Sequence, residues 1–76
     1  MTVNELSDAL YRARMAQGLT QAEVARRMGI SRPAVAGLEL RYYVGPIGTF
    51  QRWAAALGYE LSLELRGGPW LPPRAA

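Results

Sequence analysis

Leu19-Thr20-Gln21-Ala22-Glu23-Val24-Ala25-Arg26-Arg27-Met28-Gly29-Ile30-Ser31-Arg32-Pro33-Ala34-Val35-Ala36-Gly37-Leu38-Glu39 decides the fold of this 76-residue chain. The stretch holds two short helical patterns, each opened by a hydroxyl residue. Thr20 is placed to cap the first, with Glu23 three residues on as the reciprocal partner of a capping box. Ser31 caps the second, and Pro33 sits in its first turn, where a missing N–H costs nothing. Between them lies Met28-Gly29-Ile30, and a glycine there permits a left-handed helix end and an abrupt change of direction. Val24, Ala25, Met28, Ile30, Val35 and Leu38 fall where two helices crossing steeply share a core. Two such helices joined by a turn of about three to four residues make a helix-turn-helix.

Upstream, residues 3–17 read as a first helix. Thr2 and Glu5 form a second capping box. Leu6, Ala9, Leu10 and Ala13 mark one face, Tyr11, Arg12 and Gln17 lie largely on the wet side, and Gly18 closes the helix. Downstream, Leu40 to Gly45 is a loop. Tyr42 and Tyr43 are adjacent, so they cannot share one face: one packs down while the other reaches outward. A tyrosine hydroxyl there suits a phosphate oxygen, with core packing the alternative. Pro46 to Leu57 reads as a fourth helix, with Ile47, Phe50, Trp53, Ala54 and Leu57 recurring as a buried stripe and Gly58 ending it.

Tyr59-Glu60-Leu61-Ser62-Leu63-Glu64-Leu65-Arg66 then alternates without a break. Tyr59, Leu61, Leu63 and Leu65 point one way and the polar residues the other, the pattern of a half-buried β-strand. No other stretch of the chain reads as a strand. A lone strand leaves unpaired backbone donors and acceptors, and twofold symmetry lets it pair with its own copy, antiparallel. The expectation is a homodimer joined by a two-stranded ribbon whose leucine face covers the helices. An amphipathic helical extension is the alternative, but it would spread the three leucines around its surface. Gly67-Gly68 breaks the strand, and 67–76 reads as a flexible tail. In it, Trp70 and Leu71, flanked by prolines, either form a handle for a partner or fold back onto the domain. The organisation is therefore 1–58, a helix-turn-helix domain; 59–66, a dimerisation strand; 67–76, the tail.

Composition narrows the chemistry. At 76 residues a single domain buries only about 60% of its unfolded surface, so oligomerisation is the expected source of extra stability. Cysteine and histidine are both absent, which removes disulfides, thiol and imidazole catalysis and ordinary zinc sites. No metal or other cofactor is expected, and no enzyme, since the few carboxylates include capping residues and no nucleophile arrangement is visible. No apolar run approaches a membrane span of roughly 20 residues. Asn4, Glu5 and Asp8 stand where a signal peptide would be basic and then apolar, so a cytoplasmic location is expected. The net charge is +3 and every basic residue is arginine. Arg26, Arg27, Arg32 and Arg41 cluster around the two short helices, and the planar guanidinium suits phosphate and guanine. A solvated charged face is the reading for at least one of Arg26 and Arg27.

Gly18-Leu19-Thr20-Gln21, Val24-Ala25, Met28-Gly29-Ile30-Ser31, Val35, Leu38-Glu39 and Ala54-Ala55-Ala56-Leu57-Gly58 resemble the Xre/Cro-type helix-turn-helix family, over roughly residues 6–58 and with no gap between Glu39 and Leu57. The resemblance implies a mainly α fold: a four-helix Cro/repressor-like domain, here followed by the strand that pairs across a dimer. It implies an ion pair between Arg14 and Glu39 that locks the first helix to the third. It places Ser31, Arg32, Pro33, Ala36 and Gly37 at the positions that face base edges in the major groove. Arg32 is the candidate for direct readout, bidentate on a guanine, worth about 1–3 kcal/mol of discrimination. Pro33 and Ala36 offer only apolar contact, and Gly37 no side chain at all. Gln21 takes the position that holds a phosphate, with Ser31, Arg26, Arg41 and Tyr43 as further phosphate candidates. The family usually has glycine where Arg41 stands, so the loop departs from the pattern there.

Four helices, a strand and a tail with a tryptophan are similar to the architecture of HipB-like and HigA-like antitoxins. That likeness implies a dimeric repressor on a palindromic operator that autoregulates its operon and binds a toxin. Two other readings stay open: a phage or plasmid regulator without a toxin, and a protein-interaction scaffold that has lost DNA readout.

Overall fold

The computed structural model describes residues 1–40, 43 and 45–70. Four helices follow one another: α1 (Val3–Ala16), α2 (Gln21–Met28), α3 (Arg32–Glu39) and α4 (Ile47–Ala56). Each of the first three begins where a hydroxyl side chain meets an orphan N–H. Thr2 and Glu5 form a complete capping box, with the Glu5 N–H donating to Thr2 Oγ1 at 3.1 Å and the Thr2 N–H to Glu5 Oε1 at 3.3 Å. Thr20 accepts from the Glu23 N–H at 3.1 Å, without the reciprocal bond expected from Glu23. Ser31 accepts from the Ala34 N–H at 3.3 Å. Pro33 stands in the first turn of α3, and α4 starts behind Pro46 with no side-chain cap.

The helix ends share one device. At α1, α2 and α4 a glycine follows in left-handed conformation. The next residue's N–H then reaches back five residues: Leu19 to Arg14 O, Ile30 to Ala25 O and Tyr59 to Ala54 O. This satisfies carbonyls that a helix end leaves bare. At Gly29, φ is 71° and nothing would obstruct a side chain. Glycine is needed there for its backbone alone, and the left-handed residue turns α3 away from α2.

The core collects one stripe from each helix: Leu10 from α1; Val24, Ala25 and Met28 from α2; Val35 and Leu38 from α3; Phe50, Trp53 and Ala54 from α4, with Leu57 beyond it. Trp53 is completely buried, its ring 6.2 Å from that of Phe50. Tyr43 stacks edge-on against Phe50 at 5.3 Å, so it packs down rather than out. Its phenol closes over Gly45, where any side chain would strike it. α2 packs against both α3 and α4, and α1 against α3.

Several expectations need correction. Helix 1 stops at Ala16, with Gln17 as its C-cap, because the left-handed glycine already diverts the chain. Ala9 is exposed, whereas Ile30 is half-buried against the core as expected. Ile47 is exposed rather than part of the core stripe: as the first residue of α4 it sits at the rim, one turn before Phe50. Among the described residues no strand forms; beyond Tyr59, whose N–H closes the end of α4, residues 60–66 have no backbone partner among them. Of the leucines expected to cover the helices, Leu61 packs partly against the core. Leu63 is 61% exposed and Leu65 fully exposed, with Tyr59 at 56%.

Candidate nucleic-acid interface

A run of polar contacts ties α1, α2 and α3 together beneath the exposed surface of the helix-turn-helix. It starts with Arg14, on the buried side of α1. Arg14 Nε donates to Glu39 Oε2 at 2.6 Å and Nη2 to Glu39 Oε1 at 3.0 Å, a two-pronged pair. Nη1 donates to the Leu19 carbonyl at 2.8 Å. Both side chains are nearly out of water. Glu39, by accepting these bonds and by its charge, raises the Arg14 guanidinium above its ordinary range, against the opposing effect of burial; Tyr11 adds a smaller push. The Tyr11 ring lies 5.5 Å from the guanidinium carbon, in cation–π reach.

The run continues outward. Gln21, the first residue of α2, donates from Nε2 to Glu39 Oε1 at 2.9 Å. Its Oε1 accepts from Arg32 Nη1 at 3.0 Å. Arg32 opens α3 and is exposed. The order is therefore Arg14, Glu39, Gln21, Arg32, from core to surface. A hollow lined by Gly18, Leu19, Thr20, Gln21, Ala22 and Arg32 opens beside it, at the N-terminal end of α2, where backbone N–H groups attract anions.

The helix ends thus bring together most of the residues that the sequence singled out. Ser31, Arg32 and Pro33 are exposed at the start of α3, with Ala36 and Gly37 half-buried one turn on. Gln21 is half-buried within the hydrogen-bonded run. Arg26 is exposed on α2. Tyr43 is half-buried with its ring on Phe50. Trp70 is 79% exposed. Arg41 and Leu71, like Tyr42, lie outside the described residues.

Other arginines serve the scaffold. Arg27, in the last turn of α2, donates to the Ala56 carbonyl at the end of α4 at 2.9 Å. Arg52, on α4, donates to the Met28 carbonyl at the end of α2 at 2.5 Å. The two helices close each other's ends, each cation lying against the negative pole of its neighbour. Gln17, although exposed, donates to the Leu57 carbonyl at 2.8 Å. The sequence reading missed these roles. For Arg27 the available signal was a basic residue in a last turn, which reads equally as a DNA contact.

Residues 10–63 match the helix-turn-helix family. The chain belongs to the Xre-type helix-turn-helix family. This agrees with the resemblance drawn from residues 6–58. Curated relatives of this Xre-type chain include the antitoxin HigA1 of Mycobacterium tuberculosis, from strain CDC 1551 / Oshkosh and from strain ATCC 25618 / H37Rv. Each is 43% identical over 60 residues, which is 79% of this chain and 40% of the relative. The chain thus spans well under half the length of the relatives it matches. No solved structure matches it. No helix among the described residues is long and apolar enough to cross a membrane.

Proposed function

We propose that this chain is a sequence-specific DNA-binding transcriptional repressor that works as a homodimer, and that it is the antitoxin of a toxin–antitoxin pair, repressing its own operon and binding the toxin. The observation that carries the DNA-binding part is the run from Arg14 through Glu39 and Gln21 to Arg32. It fixes the start of α3 against the start of α2 and leaves the first turn of α3 open to solvent. In that reading α3 enters the major groove. Arg32 reads a guanine, Pro33 and Ala36 lie against apolar base edges, and Gly37 lets the backbone come close. Gln21 and Ser31 hold phosphates, with Arg26, Arg41 and Tyr43 as outer contacts. The antitoxin part rests on the likeness to HigA1, with Trp70 and Leu71 as the proposed toxin contact. The dimer rests on the alternating segment 59–66, which forms no strand among the described residues. Two copies would bind a palindrome whose half-sites lie about 34 Å apart.

The test is titration of the purified protein against the DNA upstream of its own gene and against random DNA, at two salt concentrations. Tighter binding to its own promoter at two subunits per site, weakening steeply with salt, is the expected result. Equal, salt-insensitive binding to both overturns it. One observation favours a second reading, a protein-interaction scaffold. The exposed face of α3 presents only one side chain with hydrogen-bonding reach to bases, Arg32, and Gln21 already engages it. Arg32→Ala separates the two: a repressor loses preference at one base step while its dimer persists, and a scaffold is unaffected.

A further inference from the structure

We propose that the two copies pair along 60–66 in one register, antiparallel and centred on Leu63, with Glu60 of each strand facing Arg66 of the other. The inference rests on the dimer reading above and specifies the surface that makes it. Two left-handed glycines bound the extended run: Gly58 at φ 86° and Gly67 at φ 109°. Between them apolar and polar residues alternate, so that in a strand every other side chain would face the same way. Glu64 and Arg66 meet at 2.8 Å on the polar side, and Leu61 turns inward against the core on the other.

An antiparallel twofold pair can be centred on only a few positions, and opposite residues must share a face. Centring between Ser62 and Leu63 gives the longest overlap but sets leucines against serine and glutamate, so it fails on sidedness. Centring on Leu61 or Leu65 runs the pairing into a left-handed glycine and leaves a short ladder. Centring on Glu64 sets that carboxylate against itself. Centring on Ser62 spans 59–65 but opposes Glu60 to Glu64 twice, and like charges directly opposite are unfavourable. Centring on Leu63 spans 60–66 and opposes Leu61 to the partner's Leu65, Ser62 to the partner's Glu64, and Glu60 to the partner's Arg66. Arg66 then lies between Glu64 of its own strand and the partner's Glu60.

This register also accounts for the most exposed leucine. Leu61 borders a groove lined by Leu6, Ala9, Ala13, Ala16 and Tyr59. The partner's Leu65, directly opposite Leu61, is delivered to the rim of that groove. The side chain that stands wholly in water in one copy is covered by α1 of the other.

The chain has no cysteine, so single introduced cysteines report on the register. Directly opposed strand residues have Cα atoms about 4.5–5.5 Å apart, within disulfide range, and only the central residue opposes itself. In the otherwise unmodified full chain, oxidised dimer should be greatest for Leu63→Cys and lower for Ser62→Cys and Glu64→Cys. Variants that keep every leucine supply the second measurement. Glu60→Arg and Arg66→Glu should each raise the dimer dissociation constant about tenfold, and the two together should return it to within about threefold of the parent. A dimer whose cross-linking peaks at position 62 or 64, with no rescue by the double reversal, overturns the register and leaves the ribbon standing. A chain that sediments as a monomer at high concentration overturns both.

Discussion

Arg14 and Glu39 meet across 25 positions of sequence, and neither retains much water. Removing one member leaves the other buried without its partner, so Glu39→Ala should cost about 3–5 kcal/mol of stability. Urea titration followed by circular dichroism should register this before any question of DNA arises. Because the folded guanidinium is raised, its share of the stability is full below the ordinary arginine range. It is lost only as pH climbs through the still higher folded value, in strong alkali. A stability profile that sagged between neutral and mildly alkaline pH because of Arg14 would contradict the pair. Ser7 is the opposite case. Its hydroxyl is buried on α1 with no partner among the described residues. Ser7→Ala removes an unmade hydrogen bond and improves helix propensity, and should stabilise by about 1 kcal/mol, read as a higher thermal midpoint.

At the scale of the elements, what was legible in the sequence is what local chemistry decides. Thr2, Thr20 and Ser31 mark helix starts because their side chains reach only two or three residues ahead. Gly18, Gly29 and Gly58 mark helix ends because only glycine takes the left-handed turn cheaply. Gly29→Ala should therefore cost about 1–2 kcal/mol from backbone strain alone, since nothing crowds the added carbon; an undiminished midpoint in denaturant would refute that account. The reciprocal closure of α2 and α4 by Arg27 and Arg52 was not legible. Each donor lies 29 or 24 positions from its carbonyl, and no sequence period encodes that meeting. In the candidate site, Gln21 and Arg32 were legible one by one from their places at helix starts, but their shared hydrogen bond depends on how steeply α3 crosses α2. The alternation of 59–66 was equally legible. Among the described residues it forms no strand; in the proposed dimer the groups that complete it belong to the other copy.

For the whole molecule, a small helical body carries a segment whose Leu63 and Leu65 stay exposed among the described residues. Leu63→Glu would put a carboxylate at the centre of the proposed ribbon, and sedimentation should then report a monomer with unchanged helicity. On the repressor reading that monomer would bind a half-site only, and the affinity for a full operator would collapse. An unchanged sedimentation coefficient would remove 59–66 from the dimer altogether.

α2 and α3 are only eight residues each, shorter than the roughly 12–15 at which an isolated helix begins to hold in water. Neither persists apart from the shared core. The surface proposed to meet DNA has no existence as a peptide, and no partly melted form of the domain can retain it. Warming should therefore extinguish helicity and recognition together over the same few degrees, so that on the repressor reading a controlled gene would meet a protein that is either whole or absent, with nothing graded in between.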